Sequence, residues 1–318
     1  MSISSQSTNT PTPTISKEPP SRRAVLTRRI ITGILGASGY LVAVFSDQVL
    51  RHTIHVWPAF LQGLPFALGV AVFSIIGVEE FYHAVRRQGA MPSDFLGYVV
   101  CIIFQLAAWR RAGSKLDPYL PALLCLLVLI TLLVELAKKQ HKPILNIGAT
   151  LLGAIYVGWL FSFLTLLHGL NAIVKPPIPG TTPGEWLVVF VTAITWIGDT
   201  GGLFVGYYLG RHKLAPNISP NKTWEGAVGS ICCAVLMAWG LARWIAFPMP
   251  HALILGVLLG AFGLVGDLCE SSLKRDLGVK DFGVLFPGHG GVLDRIDSIL
   301  FTAPLAYYYF TFIVLPHR

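Results

Sequence analysis

Charged side chains are scarce in this chain, and those that could do chemistry gather in one stretch, Gly266 to Ser298. Asp267, Glu270, Lys274, Arg275, Asp276, Lys280, Asp281, Asp294, Arg295 and Asp297 all fall there. On a helix Asp267, Glu270, Ser271 and Lys274 recur at i, i+3, i+4 and i+7, so they share one face. Asp294, Asp297 and Ser298 repeat that arrangement where the next apolar run begins. Between the two groups lies Pro287-Gly288-His289-Gly290-Gly291, a loop whose glycines let backbone N–H groups approach an anion closely. Carboxylates at two helix ends, with lysines, an arginine and a Gly-rich loop between them, suit a site for a metal ion and phosphates.

A second polar block lies upstream. Asp199 stands inside an apolar run, where an ionisable group costs about 2.5–3.5 kcal/mol and normally faces a cavity or a partner. Gly202, Gly206 and Gly210 follow it at helical spacing, a smooth stripe for close helix contact. The loop after them runs Arg211 to Asn221 with prolines at 216 and 220, then Lys222-Thr223-Trp224-Glu225-Gly226. Thr223 is expected to cap the next helix, and a helix N-terminus beside a lysine attracts phosphate.

The first block resembles the phosphatidate cytidylyltransferases, also called CDP-diacylglycerol synthases. Their pattern is matched by Ser271, Leu273, Lys274, Arg275, Lys280, Asp281, His289, Gly290, Gly291, Val292, Asp294, Arg295, Ile296 and Asp297, with no departure. The second block is similar to the same family at Asp199, Thr200, Gly210, Arg211, Lys213, Ser219, Pro220, Lys222, Thr223, Glu225 and Gly226. It departs at Gly202-Leu203, where the family commonly has Ala-Tyr, which puts the local packing or a substrate contact in doubt.

The resemblance implies the reaction CTP plus phosphatidic acid to CDP-diacylglycerol plus pyrophosphate. It implies Asp267 and Asp294 as Mg²⁺ ligands, with Asp199 beside them and room for a second cation. Lys274, Arg275, Lys280, Asp281 and His289 join those two aspartates as expected catalytic residues. Ser219, Lys222, Thr223, Ser271, Gly288, Gly290, Gly291 and Arg295 are expected to contact phosphates or substrate. Glu225, Glu270 and Asp297 are expected to support them.

The elements that must position these residues read as membrane helices. Of 318 residues 53% are hydrophobic and only 13% charged, with mean hydropathy +0.63. A soluble domain carries roughly 25% charge. Nine apolar runs are expected at about 30–46, 59–78, 95–109, 119–136, 147–167, 185–209, 224–247, 252–273 and 299–315. No alternation suggests a β-barrel, so the expected fold is an all-α polytopic membrane bundle of about nine transmembrane helices. With the N-terminus inside, 17 of the 24 lysines and arginines lie on the inner side and 7 outside, which predicts N-in, C-out and cytoplasmic catalytic loops. The membrane would be that of the cell or an organelle's inner membrane.

Three regions are expected: a disordered cytoplasmic tail over 1–29, an N-terminal bundle of five spans over 30–170, and a catalytic bundle of four spans over 185–318. The tail is rich in Ser, Thr and Pro, and a transit peptide is the alternative reading of it. The Pro- and Gly-rich loop from Asn171 to Gly184 marks the seam. Spans one to five carry little chemistry; they suit a bundle wall, a lipid-facing cavity or a homodimer contact. Glu79 to His83 read as the solvated end of a cytoplasmic helix, with acids that serve the site as the alternative, and His168 reads as an interfacial polar residue. Gly256, Gly260 and Gly263 lead to Asp267 and are expected to pack on the glycine face before it, bringing Asp199 near Asp267.

Other chemistries lack their residues. There is no GxxxxGK[ST], no Cys/His cluster with zinc spacing and no Gly-x-Ser-x-Gly elbow. The five cysteines read as small hydrophobes. The net charge of +8 carries no basic stripe with interleaved aromatics, so nucleic acid is not an expected partner. Two other readings stay open: another CTP-using lipid enzyme such as a polyprenol kinase, and a transporter with Asp199 and Asp267 as a midplane ion site.

Overall fold

The computed structural model describes residues 36–54, 58–111, 119–138, 142–171, 174–286 and 290–315. The expected tail over 1–29, Gly288 and His289 lie outside these. A helical stretch over 36–44 leads into α1 (Ser46–Ile54). Then come α2 (Leu64–Arg86), α3 (Asp94–Arg110), α4 (Tyr119–Lys138) and α5 (Pro143–Gly153). A π-helical turn (Ala154–Trp159) joins α5 to α6 (Leu160–His168). The second half holds α7 (Pro183–Leu209), strands β1 (Lys213–Ala215) and β2 (Ser219–Thr223), α8 (Trp224–Trp244), α9 (Met249–Asp276) and α10 (Leu293–Tyr309), which ends in a π-helical stretch (Phe310–Val314).

An apolar run in a bilayer must satisfy its backbone internally, and helices do so. Seven of these helical stretches are long and apolar enough to cross a membrane: Leu64–Arg86, Pro121–Lys138, Pro143–His168, Pro183–Leu209, Trp224–Trp244, Met249–Asp276 and Leu293–Val314. The expected run at 95–109 is also helical, as α3, at 17 residues. The expected run at 30–46 begins outside the described residues. Local signals set the helix starts. Proline occupies the first turn of α2, α5, α7 and α9, where its missing N–H is not needed. Thr182 and Glu185 form a capping box at α7, with Glu185 Oε2 accepting from the Thr182 N–H at 2.7 Å.

The two glycine stripes do not face each other. Both pack on α8, which lies between α7 and α9. A Cβ on Gly202 would meet Ser230 Cβ at 3.0 Å, and one on Gly206 would meet Thr223 Oγ1 at 3.1 Å. From the other side, a Cβ on Gly256 would meet Val235 Cα at 2.7 Å, and one on Gly260 would meet Ala234 Cβ at 2.9 Å. Only Gly263 fits the expectation, with Asp199 Oδ1 3.8 Å from its Cβ position. Small residues on three consecutive helices explain this: α8 supplies Gly226, Gly229 and Ser230, and so offers a smooth face of its own.

Contacts also cross the Pro/Gly-rich seam. Phe163 of α6 stacks edge-on against Tyr307 of α10, centroids 5.5 Å apart. A Cβ on Gly77 of α2 would meet Val157 Cγ1 at 3.0 Å and Ile296 Cδ1 of α10 at 3.8 Å. His168 is not an interfacial residue. It is buried, stacked on Phe66 at 4.5 Å, and its Nε2 lies 3.1 Å from Val44 O.

Candidate active site

The C-terminal end of α9 and the start of α10 bring the acidic residues together. Asp267, Glu270 and Asp297 each present a carboxylate oxygen within 4.8 Å of the others. Glu270 is 1% exposed, and its Oε1 has no hydrogen-bond partner. Gly266 makes the crossing close: a Cβ there would meet Asp297 O at 2.9 Å and Phe301 Cδ2 at 3.0 Å. Asp199 enters from the middle of α7, and Ser298, Asp267, Lys222 and Arg295 are the groups that bear on its carboxylate.

Cations interleave with these acids. Lys274 Nζ lies 2.7 Å from Glu270 Oε2, one helical turn back, and 3.0 Å from Asp294 Oδ1. Lys222 Nζ lies 2.5 Å from Asp267 Oδ2. Ser271 Oγ donates to Asp267 Oδ1 at 3.3 Å.

Lys222 is placed by the β1–β2 hairpin, an antiparallel pair with Lys213 opposite Thr223 and Ala215 opposite Ser219. Its ends are fastened. Thr223 caps α8, its Oγ1 accepting from Gly226 N–H at 3.1 Å. Glu225 accepts from the backbone N–H groups of Arg211 (3.1 Å) and His212 (3.2 Å) and lies 2.6 Å from His212 Nδ1. Arg275 Nε donates to Ile218 O at 3.1 Å and ties the hairpin to the end of α9. Thr223, Glu225 and Arg275 therefore hold the hairpin's shape.

Asp294 is placed differently from Asp267. Its carboxylate accepts from Gly291 N–H (2.7 Å), Phe282 N–H (3.1 Å) and Lys274, and it fixes the loop between α9 and α10. Gly290 next to it has φ +83°, and a Cβ there would meet Asp294 Cγ at 3.1 Å, so only glycine fits. Phe286 N–H donates to Gly290 O at 2.9 Å and closes the loop's neck. Lys280, Asp281 and Arg295 stand exposed around it.

Glu80 belongs to the helix end for which service of the site was only the alternative expectation. Together with its neighbours it corrects the reading of 79–83 as a solvated helix end. From α2 it accepts the N–H groups of Val292 (3.1 Å) and Leu293 (2.9 Å), the first turn of α10. Gly283 and Gly291 lie against it; a Cβ on either would run into its carboxylate. Phe81 and Tyr82 are buried, and Glu79 accepts from the Tyr98 hydroxyl. An acidic residue at a helix N-terminus is favourable wherever in the sequence it originates. No local spacing announces one that comes from 212 residues upstream.

Three converging carboxylates, one with an orphaned oxygen, fit a hard divalent cation, which takes oxygen ligands. Lysines paired to those carboxylates are within reach of any phosphate that arrives with the cation. The arrangement suits phosphoryl-type transfer, where catalysis is positioning and charge neutralisation.

Residues 29–313 match the cytidylyltransferase family. A phosphatidate cytidylyltransferase of Synechocystis sp. is 34% identical over 313 residues, covering 91% of this chain and 98% of its own. One from Bacillus subtilis is 33% identical over 288 residues, covering 88% and 96%. One from Brucella suis biovar 1 is 35% identical over 265 residues, covering 81% and 89%.

Proposed function

The chain belongs to the cytidylyltransferase family, and from that premise we propose that it joins CTP to phosphatidate in the membrane, giving CDP-diacylglycerol and pyrophosphate. The nucleophile is a phosphate oxygen of the lipid, an anion at neutral pH, so no general base is required. Its bond to the α-phosphorus of CTP forms as the bond from that phosphorus to the bridging β-oxygen breaks. Pyrophosphate leaves with the electron pair.

Asp267, Glu270 and Asp297 would hold Mg²⁺, with Asp199 behind them. Bound there, the ion would supply Lewis-acid neutralisation of the phosphate oxygens. This differs from the ligand pair expected from the sequence, because the carboxylate of Asp294 serves the loop. Lys222 and Lys274 face the phosphates, and Lys280 and Arg295 guide them in from the rim. The hairpin, the α9–α10 loop and the N-terminus lie on the cytoplasmic side, where CTP is.

The observation that carries this reading is the contact of Lys222 with Asp267. It joins the two polar blocks, far apart in sequence, into one site. The test is product analysis with purified protein, CTP and phosphatidate, with and without Mg²⁺. Metal-dependent pyrophosphate release is expected, abolished by Asp267→Asn. Release of CDP instead would make the protein a lipid kinase, and no turnover by folded protein would sink the assignment.

A further inference from the structure

Three buried polar atoms in or beside the carboxylate cluster have no hydrogen-bond partner: Glu270 Oε1, Ser298 Oγ and the hydroxyl of Tyr156. Tyr156 is 7% exposed and belongs to the π-helical turn between α5 and α6, in the half of the chain that also supplies Glu80. Its neighbour Val157 packs at Gly77 beside Ile296, so this turn abuts the start of α10. The acidic groups whose charge reaches the Tyr156 hydroxyl are Glu270, Asp297 and Asp267, the three carboxylates of the cluster, Glu270 foremost.

Leaving a buried donor or acceptor unpaired costs about 1–3 kcal/mol. A phenylalanine would fill the same space without that cost. A π-helical turn is itself a departure from regular helix that recurs at functional sites, since it swings one side chain out of register. Glu270 Oε1 and the Tyr156 hydroxyl are complementary in kind, an acceptor and a donor, and the turn that carries Tyr156 packs at Ile296, next to Asp297 of the cluster.

We propose that Tyr156 is a positioning residue for the cation site, its hydroxyl donating to Glu270 when Asp267, Glu270 and Asp297 close on a divalent cation. This rests on the assignment of that cluster as the cation site. The N-terminal helices then take part in the reaction by fixing the orientation of one ligand.

The test uses the full chain in lipid nanodiscs, with Mn²⁺ as probe and its binding read by electron paramagnetic resonance. Tyr156→Phe is expected to bind Mn²⁺ roughly ten-fold or more weakly, the usual effect of removing a group that orients a ligand. The thermal midpoint of the metal-free protein should stay the same or rise, since the lost hydroxyl had no partner. Wild-type affinity in Tyr156→Phe overturns the proposal, and so does a loss of affinity that comes with a lower metal-free midpoint. Asp267→Asn is the control: if wild type binds Mn²⁺ and this variant does not, the cluster stands whatever Tyr156 does. If wild type binds none, the cluster reading falls and takes this one with it.

Discussion

The carboxylate of Asp294 receives two backbone N–H groups and a lysine, whereas Asp267 and Asp297 share their neighbourhood with other carboxylates. The same substitution should therefore have unequal effects on stability. Asp294→Asn puts an amide donor among donors and leaves Lys274 short of a partner; breaking a buried pair this way costs about 3–5 kcal/mol. We expect it to lower the thermal midpoint and abolish turnover together. Asp267→Asn relieves crowding among like charges but also takes the partner of Lys222, so turnover should vanish with little net change in the midpoint. Calorimetry beside the pyrophosphate assay separates the two, and equal midpoints in both variants would refute the division of labour. The residues of both blocks were legible from type and spacing alone. Which carboxylate faces the cluster and which faces a loop was not, because Asp294 and Asp297 are three residues apart on one helix and the distinction is made by backbone N–H groups that carry no sequence signal.

At the scale of elements, the expected helices of the second half are present within a few residues, because apolar length and caps such as Thr182 and Thr223 are local signals. Pairing is not local. The glycine stripes of α7 and α9 named surfaces for close approach without naming the partner, and α8 had small residues enough to take both. Glu80 shows the same limit more sharply, since its partners lie on another element. Glu80→Ala would leave the first N–H groups of α10 without their acceptor, a loss of about 1–2 kcal/mol by analogy with helix caps. The α9–α10 loop should then loosen. Faster hydrogen exchange at Gly291 to Leu293, with at least a ten-fold fall in turnover, is the expected outcome; unchanged exchange there would remove Glu80 from the site.

For the whole molecule, the hairpin and the loop from Lys175 to Thr182 lie at opposite ends of α7, a helix long enough to span the bilayer. In a background with the five native cysteines replaced, Asn217→Cys should react with an impermeant maleimide only in inside-out vesicles. Lys175→Cys should react only in right-side-out ones. The reverse pattern would invert the proposed topology. Composition made the membrane character plain, and the count of basic residues suggested the orientation, because both are sums over many residues and tolerate local error.

The pairing of Lys222 with Asp267 and of Lys274 with Glu270 and Asp294 has a consequence for how the site fills. Two of the three cluster acids, Asp267 and Glu270, are already matched by a base, so loading is in part an exchange of partners. A cation arriving alone must displace an ammonium that then has nowhere to go, and a nucleotide arriving alone finds its ammonium groups engaged. Arriving together, the cation takes the carboxylates and the triphosphate takes the lysines, and the charge of the pit changes little. The resting site thus admits a cation or a nucleotide alone at a cost, and that cost falls when the two arrive together.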